Sequence, residues 1–135
     1  MNNDSYLMRF DGACRGNPGK SSIGVVIYKN DSELLAYNKY LGDDLTNNYS
    51  EYKALELGII KCIELNIPNI IIEGDSLLVV NQILNKWNTK NEKLKIINNR
   101  CKQLLLFFDT YNISHIKRAL NKRADYLANV SLDNL

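Results

Sequence analysis

Ile70-Ile71-Ile72-Glu73-Gly74-Asp75-Ser76 is the stretch on which the fold turns. Three consecutive β-branched residues make a short strand, and a run apolar at every position is expected of a strand covered on both faces. The period changes on either side of it. Upstream, Tyr52, Leu55, Ile59, Cys62 and Ile63 recur at helical spacing, and Asn66 and Pro68 end that helix. Downstream, Leu77, Val80, Ile83 and Leu84 carry a helix over residues 76–87. A second helical run covers 92–108, a last strand 111–116 and a last helix 121–130. The first third reads differently. Residues 6–10 form an apolar run that stops at Asp11-Gly12, Gly16-Asn17-Pro18-Gly19 is turn chemistry, and 23–28 and 33–41 are further strands joined through Asn30-Asp31-Ser32. Three strands in an antiparallel meander, followed by alternating helices and strands, predict an α/β chain with one mixed sheet in a single domain over 1–135.

Length and composition agree. The chain has 135 residues, 45% of them hydrophobic and 24% charged, which is one ordinary domain with enough core to fold without disulfides. Disorder and a membrane span are both excluded, the latter because no apolar run approaches ~20 residues. Residues 1–10 mix Asn, Asp and Arg with apolar residues, unlike a secretory signal. Cys14, Cys62 and Cys101 are an odd number without CxxC spacing. They read as reduced thiols of an intracellular, cytoplasmic protein.

The net charge of +2 hides an asymmetry. Residues 1–85 carry seven basic and eleven acidic side chains, whereas 86–135 carry ten basic and four acidic. Lys86, Lys90, Lys93, Lys95, Arg100 and Lys102 lie in the basic part. Such a distribution fits either solvated helix faces or a surface that meets phosphates.

Four carboxylates stand at awkward places. Asp11 ends the first strand, Glu51 shares the inward stripe of its helix, Asp75 follows the apolar strand, and Asp125 lies in the first turn of the last helix. Each has an ordinary alternative: turn chemistry for Asp11, a capping box with Asn48 for Glu51, an N-cap for Asp75, and dipole complementarity for Asp125. Taken together, they can converge at one edge of a sheet. Clustered acids demand a counter-charge, and oxygen-ligated Mg²⁺ or Mn²⁺ supplies it. Two such ions give a phosphoryl-transfer site. Cys14 to Ser21, CRGNPGKS, imitates a nucleotide phosphate loop. Pro18 lacks an amide, however, and a strand rather than a helix follows.

FDGACRGNPG from Phe10, TNNYSEYKAL from Thr46, IIIEGDS from Ile70 and HIKRALNKRADYLA from His115 resemble, in order and spacing, the four blocks of type 1 ribonuclease H. The resemblance implies the ribonuclease H fold: a five-stranded mixed sheet, three antiparallel strands then two parallel ones, flanked by helices. It implies cleavage of the RNA strand of RNA–DNA hybrids, leaving 5′-phosphate and 3′-hydroxyl ends. Asp11, Glu51, Asp75 and Asp125 match the metal ligands, for two Mg²⁺ with Mn²⁺ as substitute. Thr46 and Asn47 match positions that hold a DNA phosphate and read the hybrid. Asn17 and the backbone of Cys14, Arg15 and Gly16 match positions beside RNA 2′-hydroxyls. Arg118 and Asn121 match the R-x-x-N of archaeal-like and plant-like members, which places Asn121 among the expected substrate contacts.

The chain departs from the bacterial pattern in having no basic protrusion. Lys86-Trp87 passes through 88–91 directly into the next helix. His115 stands at the offset of the bacterial mobile His, but within a strand-like run where a structural role is expected. Arg118, past that strand, is the better candidate to grip the scissile phosphate. The expected partner is RNA–DNA hybrid, with duplex RNA as a further candidate, and the expected form is a monomer away from membranes. A non-catalytic module and a junction resolvase on the same fold are the competing readings. All four acids speak against the first, and Asn17, Thr46 and Asn47 against the second.

Overall fold

The computed structural model describes residues 3–135. The chain runs β1 (Tyr6–Gly16), β2 (Gly19–Lys29), β3 (Ser32–Leu45), α1 (Asn47–Glu64), β4 (Asn69–Gly74), α2 (Leu77–Ile83), α3 (Glu92–Leu105), β5 (Thr110–His115), a 3₁₀ turn (Arg118–Leu120) and α4 (Lys122–Asp133). The strand order is β3-β2-β1-β4-β5. β1, β2 and β3 pair antiparallel, and β4 joins β1 and β5 in parallel. The five-stranded mixed sheet is therefore as the sequence predicts.

The boundaries differ in instructive ways. β1 does not stop at Asp11; it continues to Gly16, with Asp11 paired to Gly24 in mid-strand. The predicted 76–87 helix ends at Ile83, where Asn85 turns left-handed at φ 61°. The 92–108 helix ends at Leu105, leaving Leu106 and Phe107 exposed. β3 outlasts its predicted end, and α4 runs three residues past 130.

α1, α2 and α3 cover one face of the sheet. Their core joins Met8, Phe10, Val25 and Ile72 of the strands to Tyr52, Leu55 and Ile59 of α1, Val79 and Ile83 of α2, and Ile97 and Leu105 of α3. The buried Tyr52 hydroxyl donates to Gln82 Oε1 at 2.6 Å and accepts from Asn98 Nδ2 at 3.0 Å, so one phenol ties three helices. The buried Glu56 accepts from Lys53 and Arg100 at 2.6 and 2.7 Å, pairing α1 with α3. Among the described residues α4 is the helix that covers the opposite face, with Ala124 and Leu127 on Val26. The fit is close: a Cβ on Gly24 would lie 2.2 Å from Ala124 O. Because α4 packs over β1–β3, Ile71 of β4 is 44% exposed. The apolar run at Ile70–Ile72 thus overstated the covering: Ile70 and Ile72 are buried, and Ile71 faces the open side.

Candidate active site

The parallel pairing of β1 and β4 sets Phe10 beside Gly74, so Asp11 and Asp75, each one residue further on, meet at the same edge. Outside the carboxyl ends of parallel strands is where open α/β sheets leave a crevice. α1 delivers Glu51 to that edge. A Cβ on Gly12 would sit 2.6 Å from Glu51 N and from Ser50 C, so only glycine admits the helix this close. Gly12 N–H in turn donates to Glu51 Oε1. Oxygens of Asp11, Glu51 and Asp75 all lie within 4.8 Å of one another.

Asp125 arrives from the other face on the first turn of α4. The start of that helix is fastened to β1, where Asn121 Nδ2 donates to Phe10 O at 2.9 Å. Asn129 Nδ2 donates to Asp125 Oδ1 at 3.3 Å. The four acids line a cleft of about 430 Å³ together with Arg118 and residues 12–15.

The ordinary alternatives for two of the acids do not hold. Thr46, not Asn48 with Glu51, caps α1 by accepting from Tyr49 N at 3.2 Å. Ser76, not Asp75, caps α2 by accepting from Val79 N. Both acids are therefore left for the cleft. The electrostatics show the strain of gathering them. Burial first, then the charge and hydrogen bond of Glu51, with Asp75 and Asp125 adding to it, hold Asp11 far above the ordinary carboxyl range. Burial raises Glu51 too, although Asp11 and Gly12 N–H pull it down. Burial raises Asp75 against the opposing pull of Arg118. Clustered oxygen donors that resist ionisation are a chemical fit for a small, hard divalent cation.

The other predicted residues fall into place around this cluster. Arg118 is 82% exposed at the lip, its Nη2 3.8 Å from Asp125 Oδ1. Cys14 faces the cleft, and its thiol donates to Gly16 O and to Leu45 O. Arg15, also on the cleft wall, is tied to α4 by an ion pair to Asp133 and a bond to Asn129. Gly16 turns the chain out of β1 at φ +87°. Asn17 Oδ1 accepts from Asn47 N at 3.0 Å, locking the β1–β2 turn onto the start of α1. Asn17 and Thr46 also line a second groove of about 240 Å³ with Tyr49 and Lys93, whose ammonium lies 5.2 Å from the Tyr49 ring centre.

Two residues sit otherwise than expected. Asn121, grouped with the substrate contacts, is 1% exposed, so its amide fastens α4 rather than facing solvent. His115 is not packed inside its strand but ends β5 in an exposed position, close enough to Asp75 to lower that carboxyl slightly. Gly12 and Asn129 were missed by the sequence reading. Asn129 lies four residues after Asp125, a spacing that puts both on one face of α4 and could have revealed it.

Among the described residues no helix is long and apolar enough to cross a membrane. Residues 9–131 match the reverse transcriptase-like family model. The chain is 38% identical over 125 residues to ribonuclease HI of Halobacterium salinarum, spanning 93% of this chain and 63% of that protein. It spans only 35% of a Mycobacterium tuberculosis bifunctional protein to which it is 35% identical. In three dimensions it superposes on the crystal structure of RNase H1 from Halobacterium salinarum with a TM-score of 0.94, at 36% identity, covering 97% of this chain and 99% of that one. LC11-RNase H1, solved in complex with RNA/DNA hybrid, gives a TM-score of 0.89 at 28% identity, covering 96% of this chain and 98% of that one.

Proposed function

The chain belongs to the ribonuclease H family, and from that premise we propose that it is an endoribonuclease hydrolysing the RNA strand of RNA–DNA hybrids to 5′-phosphate and 3′-hydroxyl ends. One observation carries the reading: three carboxylates, from β1, α1 and the residue after β4, with oxygens within 4.8 Å of one another where the parallel β1–β4 pairing ends. Asp11, Glu51, Asp75 and Asp125 would hold two Mg²⁺, or Mn²⁺ in their place. When bound, such ions lower the pKa of water and neutralise the phosphate and the leaving oxygen.

The protein's own groups do the rest. Asp11, buried in mid-strand, and Glu51, equally buried on α1, would be the two most rigidly held ligands. Glu51 is kept in register by Gly12 N–H. Arg118, exposed at the lip, grips the scissile phosphate and eases product departure. A guanidinium is no general acid at neutral pH, so this role is electrostatic. In the reaction a water oxygen bonds to phosphorus, the P–O3′ bond breaks, and a proton ends on the 3′-oxygen.

The backbone of Cys14, Arg15 and Gly16, with Asn17, approaches the RNA 2′-hydroxyls, the groups that distinguish RNA from DNA. Thr46 and Asn47, at the α1 start, take the DNA strand. Asn121 serves substrate binding indirectly, through the helix it fastens. We read 1–135 as one domain acting as a monomer inside the cell, where its three free cysteines remain reduced. Labelled RNA–DNA hybrid, duplex RNA and duplex DNA, each incubated with and without Mg²⁺ and resolved on gels, test this. Metal-dependent cutting confined to the RNA strand of the hybrid is expected. Cleavage of duplex DNA, or binding without cleavage, would overturn it.

A further inference from the structure

The 3₁₀ turn that carries Arg118 has no buried side chain of its own, and Leu120 at its end is 59% exposed. Apolar packing therefore does not place it. The chain on its downstream side is fixed by Asn121 on Phe10 O. The turn itself is tied by a residue outside the cleft. Arg9 Nη1 donates to Leu120 O at 3.2 Å. The same guanidinium is aimed by Glu73, whose Oε1 accepts from Arg9 Nε at 3.0 Å. Arg9 and Glu73 are directly opposed in the parallel β1–β4 register, both only partly exposed. They share the face on which α4 packs, since Arg9 also pairs with Val26 beneath Ala124 and Leu127. A planar guanidinium can serve two acceptors with fixed relative geometry, which a single ammonium cannot.

Resting on the hybrid-nuclease reading, we propose that Arg9, aimed by Glu73, is a positioning residue that holds the 118–120 turn so that Arg118 stays over the acidic cleft. Arg9 touches neither the cleft nor the four acids. Its effect passes through the turn, so loosening it lowers the fraction of time that Arg118 faces the phosphate and leaves the binding surfaces alone.

The test is a double-mutant cycle on the full chain with RNA–DNA hybrid in Mg²⁺, joined to amide hydrogen exchange without substrate. Arg9→Met is expected to lower kcat about three- to tenfold with KM within about twofold. Glu73→Gln, which keeps an acceptor for Nε, stays within about twofold of wild type in both constants. In an Arg118→Ala background, Arg9→Met costs nothing further, because coupled residues are non-additive. The Leu120 and Asn121 amides, which close the turn on Lys117 O and Arg118 O, exchange faster in Arg9→Met while those of α1 do not. Losses that multiply across the cycle overturn the proposal. So do a wild-type kcat for Arg118→Ala and unaltered exchange at 120–121. If Arg9→Met does not fold, Glu73→Ala takes its place in the same cycle. A wild type inert on hybrid defeats the functional reading instead, and the exchange arm then still decides whether Arg9 holds the turn.

Discussion

Replacing Asp11 by Asn should silence the enzyme and stabilise the metal-free fold at once. The side chains are nearly isosteric, so packing is preserved and charge alone changes. At the 4.8 Å limit that bounds the cluster, two ionised carboxylates repel by about 3 kcal/mol at an effective dielectric of 20. Asp11 takes part in two such pairs, with Glu51 and Asp75. The folded protein already relieves part of this by holding protons, so we expect a net gain of ~1–3 kcal/mol from the amide, seen as a melting temperature raised by ~3–10 °C in chelator. The gain depends on pH with a definite sign. The native carboxyls bind protons more tightly than those of the unfolded chain. Wild-type stability without metal is therefore fullest below the ordinary carboxyl range and falls as pH rises through the raised native values. The variant flattens that decline. Thermal melts in EDTA at acid and mildly alkaline pH, with steady-state rates in Mg²⁺ on the same preparations, measure both effects. A variant that melts no higher than wild type at alkaline pH, or that keeps more than about a tenth of its rate, a barrier change under ~1.4 kcal/mol, would refute the reasoning.

Arg118→Ala should lower kcat at least tenfold, about 1.4 kcal/mol, whereas His115→Ala costs little; kinetics on both, checked for intact folding, would reverse the assignment if the losses fell the other way. Neutralising Lys86, Lys90 and Lys93 together should raise KM more than it lowers kcat, and binding should weaken with salt at a log–log slope of about −0.9 per phosphate contact, so a flat salt titration would count against the electrostatic account. Gly12→Ala should be severe, since the added methyl meets backbone on α1 that cannot swing aside. We expect a loss of ~2 kcal/mol or more by chemical denaturation and at least a tenfold fall in kcat from the displaced Glu51.

The kind of sheet was legible from period: a meander joined at 30–32, then alternating helices and strands, predicts one mixed sheet, while the parallel pairing of its last two strands was implied by the family resemblance and the strand order is seen only in the structure. The four acids were legible as anomalies, each a charge where burial or a cap was expected. What could not be read was distance-dependent. Whether Asp11 ends a strand or sits inside one depends on β2 continuing opposite it, a pairing of residue 11 with residue 24. The one-sided cover of Ile71 depends on where α4 lands, which its own sequence does not state. The burial of Asn121 could not be read because its acceptor, Phe10 O, is 111 positions away. The Arg9–Glu73 tie escaped for the same reason, being a pairing across 64 residues of chain.

The parallel seam between β1 and β4 has a further consequence, for the order of events as the chain folds. The β1–β2–β3 hairpins close short loops, whereas β4 reaches β1 only by closing one of about sixty residues, and loop-closure entropy is lost before such contacts reward it. Asp75 therefore joins Asp11 late, and Asp125 comes with the docking of α4. The transition state forms largely without the crowded charges, and their repulsion falls on the native side of the barrier. A cation that quiets them should leave the folding rate nearly unchanged and slow unfolding instead. The loaded enzyme would then owe its persistence to a slow exit from the native state rather than to fast entry into it.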